Sequence, residues 1–189
     1  KRQMYYEPGH HYVGQWNTGM KSGTGTETWP DKTTYVGQWK DGNMHGKGNM
    51  TYANGAKYKG AWEDGKKHGQ GIETLPDNTT YVGEWESGNM HGQGEKTWPN
   101  NTTYIGQWKD GKEHGQGNMT YENGAKYEGA WEYGKKHGHG IETHPDNKTY
   151  VGEWKSGNMH GQGNMTYANG AYVGEWKSGN MHGQGNMTY

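Results

Sequence analysis

The fold is decided by residues 35–52, which read YVGQWKDGNMHGKGNMTY. In the first five residues, two aromatic rings and a glycine alternate with other residues, and a period of two is typical of a β-strand. Asp41-Gly42-Asn43 then predicts a turn, and residues 47–52 alternate again. Because Tyr and Trp favour strands, the stretch predicts a β-hairpin. The next turn is predicted at Asn54-Gly55, a strong hairpin signal.

The same block, Tyr-x-Gly-x-Trp, recurs along the whole chain. Successive copies are about 23 residues apart, with the last step slightly shorter, and most are followed by His-Gly-x-Gly. We predict eight tandem repeats over residues 12–189, with residues 1–11 as part of a preceding repeat. The repeats begin at Tyr12, Tyr35, Tyr58, Tyr81, Tyr104, Tyr127, Tyr150 and Tyr172. A second, longer period overlies the first, as if three repeats had been copied together.

Composition indicates how such hairpins could be stable. Only 27% of the 189 residues are hydrophobic, yet the chain has 10 Trp, 15 Tyr and 36 Gly. Large rings must therefore provide the burial that aliphatic side chains usually provide. No segment has a helical period. We predict an all-β fold, an elongated, twisted, single-layer antiparallel sheet of tandem β-hairpins, with roughly 16 strands.

The bulk properties argue against several classes of protein. A net charge of −1 gives no electrostatic footprint for nucleic acid. No apolar run is long enough to span a bilayer, and no signal peptide is visible. The absence of Cys excludes disulfides and cysteine zinc sites and favours an intracellular location. Because the chain starts at Lys1 and stops at Tyr189 inside a repeat, we expect it to belong to a longer protein.

An aromatic surface is the main candidate binding site. One face of the predicted sheet carries the repeated Trp residues, rings from the second strands, and glycines that leave room for those rings, while the opposite face is expected to be largely polar. Aromatic-lined grooves can hold an extended peptide or a helix. The alternative is that the rings only stack on one another. The candidate residues are Trp39, Trp62, Trp85, Trp108, Trp131, Trp154, Tyr52, Trp98 and Tyr121.

Two further candidates are weaker. Lys66-Lys67 and Lys135-Lys136 are the most basic pairs and could contact anionic phospholipid. Seven of the 11 His residues share one repeat position. Their predicted separation of ~9.5 Å, two strands, is too wide for zinc ligands, so a structural role at a turn is the better interpretation. We predict no catalytic residue, no metal site and no cofactor.

The eight blocks resemble the MORN (membrane occupation and recognition nexus) repeat through the motif Tyr-x-Gly-x-Trp-x-x-Gly-x-x-His-Gly-x-Gly, from which the first block departs by having Ser22 in place of the His. The resemblance implies a non-catalytic scaffold that binds a protein partner or itself, in a cytoskeletal or axonemal (ciliary) assembly. Two alternatives stay open: a membrane-proximal module that binds anionic phospholipid, and a regulatory fragment of a larger lipid kinase.

Overall fold

The computed structural model describes residues 2–189, and within them it contains seventeen β-strands and no helix. No membrane-crossing helix is therefore formed by this part of the chain. The strands are β1 (Arg2–Glu7), β2 (His10–Asn17), β3 (Met20–Thr28), β4 (Thr34–Lys40), β5 (Asn43–Thr51), β6 (Lys57–Glu63), β7 (Lys66–Thr74), β8 (Thr80–Glu86), β9 (Asn89–Thr97), β10 (Thr103–Lys109), β11 (Lys112–Thr120), β12 (Lys126–Glu132), β13 (Lys135–Thr143), β14 (Thr149–Lys155), β15 (Asn158–Tyr167), β16 (Gly170–Lys177) and β17 (Asn180–Thr188).

The chain divides into two compact units, Lys1–Gly92 and Gln93–Tyr189. In the first, β1 to β8 follow one another in chain order, and each strand pairs antiparallel with the next. In the second, β10 to β17 do the same. The main contacts of each strand are with its sequence neighbours, so each unit is an open sheet without a second layer. The predicted all-β fold of tandem antiparallel hairpins is confirmed.

The hairpin within each of the eight repeats closes on a two-residue turn in which both residues have positive φ. In the second repeat these are Asp41 (φ 49°) and Gly42 (φ 86°), the pattern of a type I′ turn. The Gly42 amide also donates a hydrogen bond of 3.0 Å to the Lys21 carbonyl in the preceding hairpin. The turn therefore ties consecutive repeats together as well as reversing the chain.

Except at the last junction, where Tyr167 pairs directly with Gly170, the turns that join one repeat to the next come in two chemical versions with the same hydrogen bonds. In one version, the Tyr52 amide donates to the Ala56 carbonyl and the Gly55 amide to the Tyr52 carbonyl, both at 2.9 Å. In the other, Leu75 and Asn78 make the equivalent bonds around a proline. The predicted Asn-Gly and Pro-Asp turns thus form equivalent loops.

The core of each sheet is a ladder of rings lying over paired glycines. Tyr35 is fully buried, and its ring meets Trp39 and Trp62 edge-to-face, with centroids 5.1 and 5.4 Å away. Beneath it, Gly37 and Gly48 face each other in register. A Cβ at Gly37 would lie 2.4 Å from the Tyr35 hydroxyl oxygen, so an alanine does not fit there without a shift. The interpretation that glycines make room for the rings is confirmed.

Candidate functional site

The six candidate tryptophans lie inside the aromatic ladder. Their exposed fractions are between 3 and 6%. Five of the six indole groups also donate a hydrogen bond, for example that of 3.3 Å from Trp62 Nε1 to the Gly48 carbonyl oxygen, whereas Trp85 Nε1 is buried without such a partner in the described part of the chain. The structure therefore leaves these tryptophans little surface for a partner. They are Trp39, Trp62, Trp85, Trp108, Trp131 and Trp154.

The tyrosines of the ladder are held as neutral hydrogen-bond donors. The Tyr35 hydroxyl donates to the Gln38 carbonyl oxygen at 3.0 Å, and Tyr58 makes the same bond to Ala61 at 2.9 Å. Burial raises the pKa of both hydroxyls above the ordinary value. In Tyr12, burial and the nearby Glu27 carboxylate raise the pKa to about 12. The ladder is thus a structural element in which no ring carries a charge near neutral pH.

The other three candidate rings, Tyr52, Trp98 and Tyr121, are half-buried beside the turns that join the repeats. Tyr121 helps to line a depression of about 500 Å³ that also contains Lys136 and His144. Burial, with smaller contributions from Glu142 and Glu113, raises the pKa of Tyr121 to about 12. This is the part of the predicted aromatic surface that remains accessible.

The four candidate lysines separate into two kinds. Lys67 lies on the aromatic face, where its ammonium group pairs with Glu73 and sits 4.6 Å from the Trp85 ring centre. Lys136 makes the same contacts with Glu142 and, at 4.7 Å, with Trp154. The exposed fractions of the two side chains are only 14 and 12%. Lys66 and Lys135 are exposed, so they are the two that could meet a charged headgroup.

The repeated histidines lie at the strand positions just before the bulges, and four of them, His45, His68, His91 and His137, lie close to carboxylates. His68 Nδ1 lies 3.4 Å from a Glu63 carboxylate oxygen, and His91 Nε2 lies 3.3 Å from Glu86. Across residues 2–189, no three His, Asp or Glu side chains are grouped so that they could hold a metal ion. The structure gives four of the repeated histidines contacts with acidic neighbours, and we assign no chemistry to any of the seven.

The opposite face of the first unit contains a groove that sequence reasoning missed. A depression of about 490 Å³ has the paired glycines Gly48, Gly60 and Gly71 as its floor. Its walls come from alternating residues of neighbouring strands, which are Lys47, Asn49, Lys59, Ala61, Gln70, Ile72 and Val82. An adjoining depression of about 430 Å³ shares Lys47 and continues through Val36 to Val13. We call this surface the first-unit groove.

Exposed aliphatic side chains mark this face. Val36, Ile72 and Val82 are exposed to 51, 45 and 48%. Register places Lys59 opposite Ile72, and Ile72 opposite Val82, so these side chains adjoin across the strands. The sequence signal is the Val or Ile that follows many of the repeated tyrosines. It is easily overlooked, because threonines and charged residues outnumber these aliphatics and make the face look largely polar.

The second unit has a matching groove of about 310 Å³. Ile141 and Val151 stand there at the positions of Ile72 and Val82, three repeats later in the chain. Its other lining residues differ in charge, since Gln116 and Glu128 replace the two lysines, and His139 replaces Gln70. The two grooves therefore share an apolar strip, but they differ in volume and in the sign of their charged lining residues.

Comparison with known proteins agrees with the internal repeat. The family model described as MORN repeat matches residues 12–34, 35–57, 58–80, 81–103, 104–126, 127–149, 150–171 and 172–189. A comparison with curated protein sequences found no match.

Among solved structures, the chain is similar to the SAS-4 (dCPAP) TCP domain of Drosophila melanogaster in complex with a proline-rich motif of Ana2 (dSTIL). The TM-score is 0.47 at 11% identity, covering 88% of this chain and 84% of that one. It is also similar to the TCP10 domain of Danio rerio CPAP in complex with a peptide of Danio rerio STIL. There the TM-score is 0.46 at 12% identity, covering 92 and 93%.

Proposed function

This chain belongs to the MORN repeat family, and we propose that it is a non-catalytic scaffold whose groove-bearing face binds segments of partner proteins. The observation that supports this most strongly is the cross-strand pair of half-exposed Ile72 and Val82 on the face opposite the ladder, with Val36 exposed on the same face three strands away. The assembly it would serve is an intracellular, cytoskeletal or ciliary one, as the family resemblance implies.

Single exposed aliphatic residues are ordinary on protein surfaces. Here they are not single, because Ile72 and Val82 are cross-strand neighbours in a depression, and strands lie only ~4.8 Å apart. Contiguous apolar patches with a polar rim mark interaction sites. Asn49 and Gln70 supply polar groups within the same groove.

The mode of binding follows from the pairing of the strands. Strands β2 to β7 each have a hydrogen-bonded partner strand on both sides. A partner segment on this face would therefore be recognised by side chains rather than by adding a strand at an edge. The face of β2–β8 spans about 30 Å across the strands, room for an extended segment of roughly eight residues.

Cross-linking mass spectrometry in a cell extract tests the proposal. The variant I72D/V82D places two charges in the apolar strip without altering the buried ladder, and it should lose the partners that the unchanged protein captures. The matched control is Y133D, because Tyr133 is exposed at a hairpin turn where other repeats carry Asp41 and Asp64. Identical partners for all three proteins would contradict a binding role for this face.

A second candidate is contact with anionic phospholipid through Lys66 and Lys135, whose side chains are exposed. Near an anionic surface each would contribute about 1 kcal/mol. We expect the variant K66E/K135E to weaken flotation with phosphatidylserine vesicles at low salt, whereas K67M/E73M, which removes one positive and one negative charge together, should not. Equal flotation of K66E/K135E and the unchanged chain would remove this candidate. A regulatory role within a larger lipid kinase is the third interpretation, and the remainder of the gene would test it.

A further inference from the structure

The two grooves give a comparison in which the apolar strip stays the same and the charge changes. Their apolar strips match, Ile72 and Val82 in one and Ile141 and Val151 in the other. In the first-unit groove the charged lining residues are Lys47 and Lys59, both positive. Since the period of three repeats makes the two segments equivalent, the difference in sign lies in the side chains and not in the backbone.

Lys47 and Lys59 are exposed, and among residues 2–189 no carboxylate lies within ion-pairing distance of either ammonium group. This contrasts with Lys67, which is paired with Glu73 on the other face. The pairing register places Lys47 opposite Ala61 and Lys59 opposite both Asn49 and Ile72. The two unpaired charges therefore flank one stretch of groove.

The position of Lys47 is also fixed by the backbone around it. Its amide donates a hydrogen bond of 2.8 Å to Gln38 Oε1 across the bulge between β4 and β5. Gln38 itself lines the adjoining depression. The base of the Lys47 side chain is thus held at the junction of the two depressions, while its charged end is free to meet a ligand.

We propose that the first-unit groove binds an acidic peptide segment, with carboxylates on Lys47 and Lys59 and aliphatic side chains on Ile72 and Val82. This rests on the proposed scaffold function and adds the chemistry of the partner. The second-unit groove, with Glu128 in place of Lys59, does not take the same ligand. Charge complementarity of this kind selects among partners by penalising the wrong sign.

The observations favour a peptide over a membrane. Electrostatic attachment to anionic lipid typically uses clusters of about four to eight basic residues, and the groove offers Lys47 and Lys59. The charges also sit beside a depression of about 490 Å³ with apolar walls, which suits side chains inserted from an extended segment better than a planar layer of headgroups.

Selection from a random-peptide phage library on the purified chain tests the proposal, followed by fluorescence anisotropy with a selected peptide. The unchanged chain should enrich peptides containing Asp or Glu beside Val, Leu or Ile. The variant K47Q/K59E copies the charges of the second unit and should bind the selected peptide at least about tenfold more weakly. The reverse variant, Q116K/E128K, should gain a second site for it.

The control is K40E, which makes the same charge reversal at an exposed position outside the groove where other repeats carry Glu63 and Glu86. It should bind like the unchanged chain, and circular dichroism should show that all variants keep the sheet. Selected peptides without acidic residues, or equal binding by K47Q/K59E, would overturn the acidic ligand while leaving the scaffold function standing. If neither the unchanged chain nor any variant enriches a peptide, both the acidic ligand and the scaffold function are overturned. Phosphatidylserine vesicles that bind through Lys47 and Lys59 where no acidic peptide does would overturn the proposal in favour of lipid.

Discussion

The repeats at residues 35–57 and 58–80 place chemically different side chains at the same positions beside the aromatic ladder. In the first, Met50 stands opposite Tyr35 and Met44 opposite Trp39. In the second, a glutamate and a lysine occupy those positions, Glu73 opposite Tyr58 and Lys67 opposite Trp62. Despite this exchange, Tyr35 and Tyr58 are both almost fully buried. The centre of each ring lies 5.1 Å from the ring centre of the tryptophan four residues later.

The likeness of the two repeats shows that rings and glycines set the geometry and that the long side chains between them adapt to it. A thioether and an ammonium group both interact favourably with aromatic rings. Lys67 lies 5.0 Å from the Tyr58 ring centre and 4.6 Å from that of Trp85, with Glu73 balancing its charge. Changes to the shared ladder should therefore destabilise both repeats, while changes to the long side chains should affect the stability of the two repeats differently.

Alkaline pH should break the shared ladder most severely. Burial raises the pKa of Tyr35 and Tyr58, and that of Tyr150 to about 12, whereas an unfolded tyrosine titrates near its ordinary value of 10. Below pH 10 both states keep these protons, so the free energy of unfolding does not change on this account. Above it the unfolded state alone loses them, and each buried tyrosine then lowers the free energy of unfolding by about 1.4 kcal/mol per pH unit.

Urea unfolding followed by tryptophan fluorescence at a series of pH values measures this loss. We expect a steep fall in the urea midpoint between pH 10 and 12, with no corresponding change between pH 8 and 9. A midpoint that stays constant to pH 12 would mean that the hydroxyls are not held in a buried, neutral state.

Gly37→Ala and Gly60→Ala should disrupt the ladder at the same position in each of the two repeats. The new methyl group at Gly37 would lie 2.6 Å from the Gly48 Cα, and at Gly60 it would lie 2.5 Å from the Gly71 Cα. Because backbone on the facing strand cannot turn aside, each change should cost at least about 3 kcal/mol. Lys59→Ala, an exposed change in the same strand as Gly60, should stay within about 0.5 kcal/mol. Unfolding midpoints that rank these variants otherwise would contradict the role assigned to the glycines.

The sequence predicts the hairpins, their turns and the ladder, because each of these depends on residues close together in the chain. Tyr35, Gly37 and Trp39 fix one face by alternation alone. The burial of the tryptophans could not be inferred in the same way. Alternation places Trp62 on the same face as Tyr35, but it does not determine how deeply the rings are buried over the glycines. The sequence is therefore compatible both with an exposed aromatic surface and with a buried core of stacked rings.

The features the sequence did not predict depend on contacts between repeats. Lys67 lies over Trp85 of the following repeat, and this contact hides a side chain that looks like half of an exposed basic pair. The first-unit groove likewise combines Lys47 from β5 with Lys59 from β6 and Ile72 from β7. Such a surface becomes visible only when the register of three strands is known.

Exchanging the long side chains should show how the stability of the two repeats depends on different contacts. Glu73→Met leaves the Lys67 ammonium group among rings without its carboxylate, and we expect a cost of about 2–3 kcal/mol, less than for a fully buried pair because some exposure remains. The double variant K67M/E73M recreates the Met44 and Met50 pair, and it should be as stable as the unchanged chain or more stable by about 1 kcal/mol. A double variant that unfolds as easily as Glu73→Met would show that the ion pair, and not the fit of the rings, sets the stability of this repeat.

The smallest effects should come from the turns that follow the two repeats. Gly55 (φ 89°) ends one and Asn78 (φ 68°) the other, each in the left-handed region. Gly55→Ala should cost about 1 kcal/mol, because a Cβ crowds the following carbonyl in that conformation. Gly55→Asn should cost about half as much or less, since Asn tolerates it through local hydrogen bonding. If thermal unfolding places Gly55→Asn below Gly55→Ala, the two turns are not interchangeable, and the equivalence of the loops extends only to their hydrogen bonds.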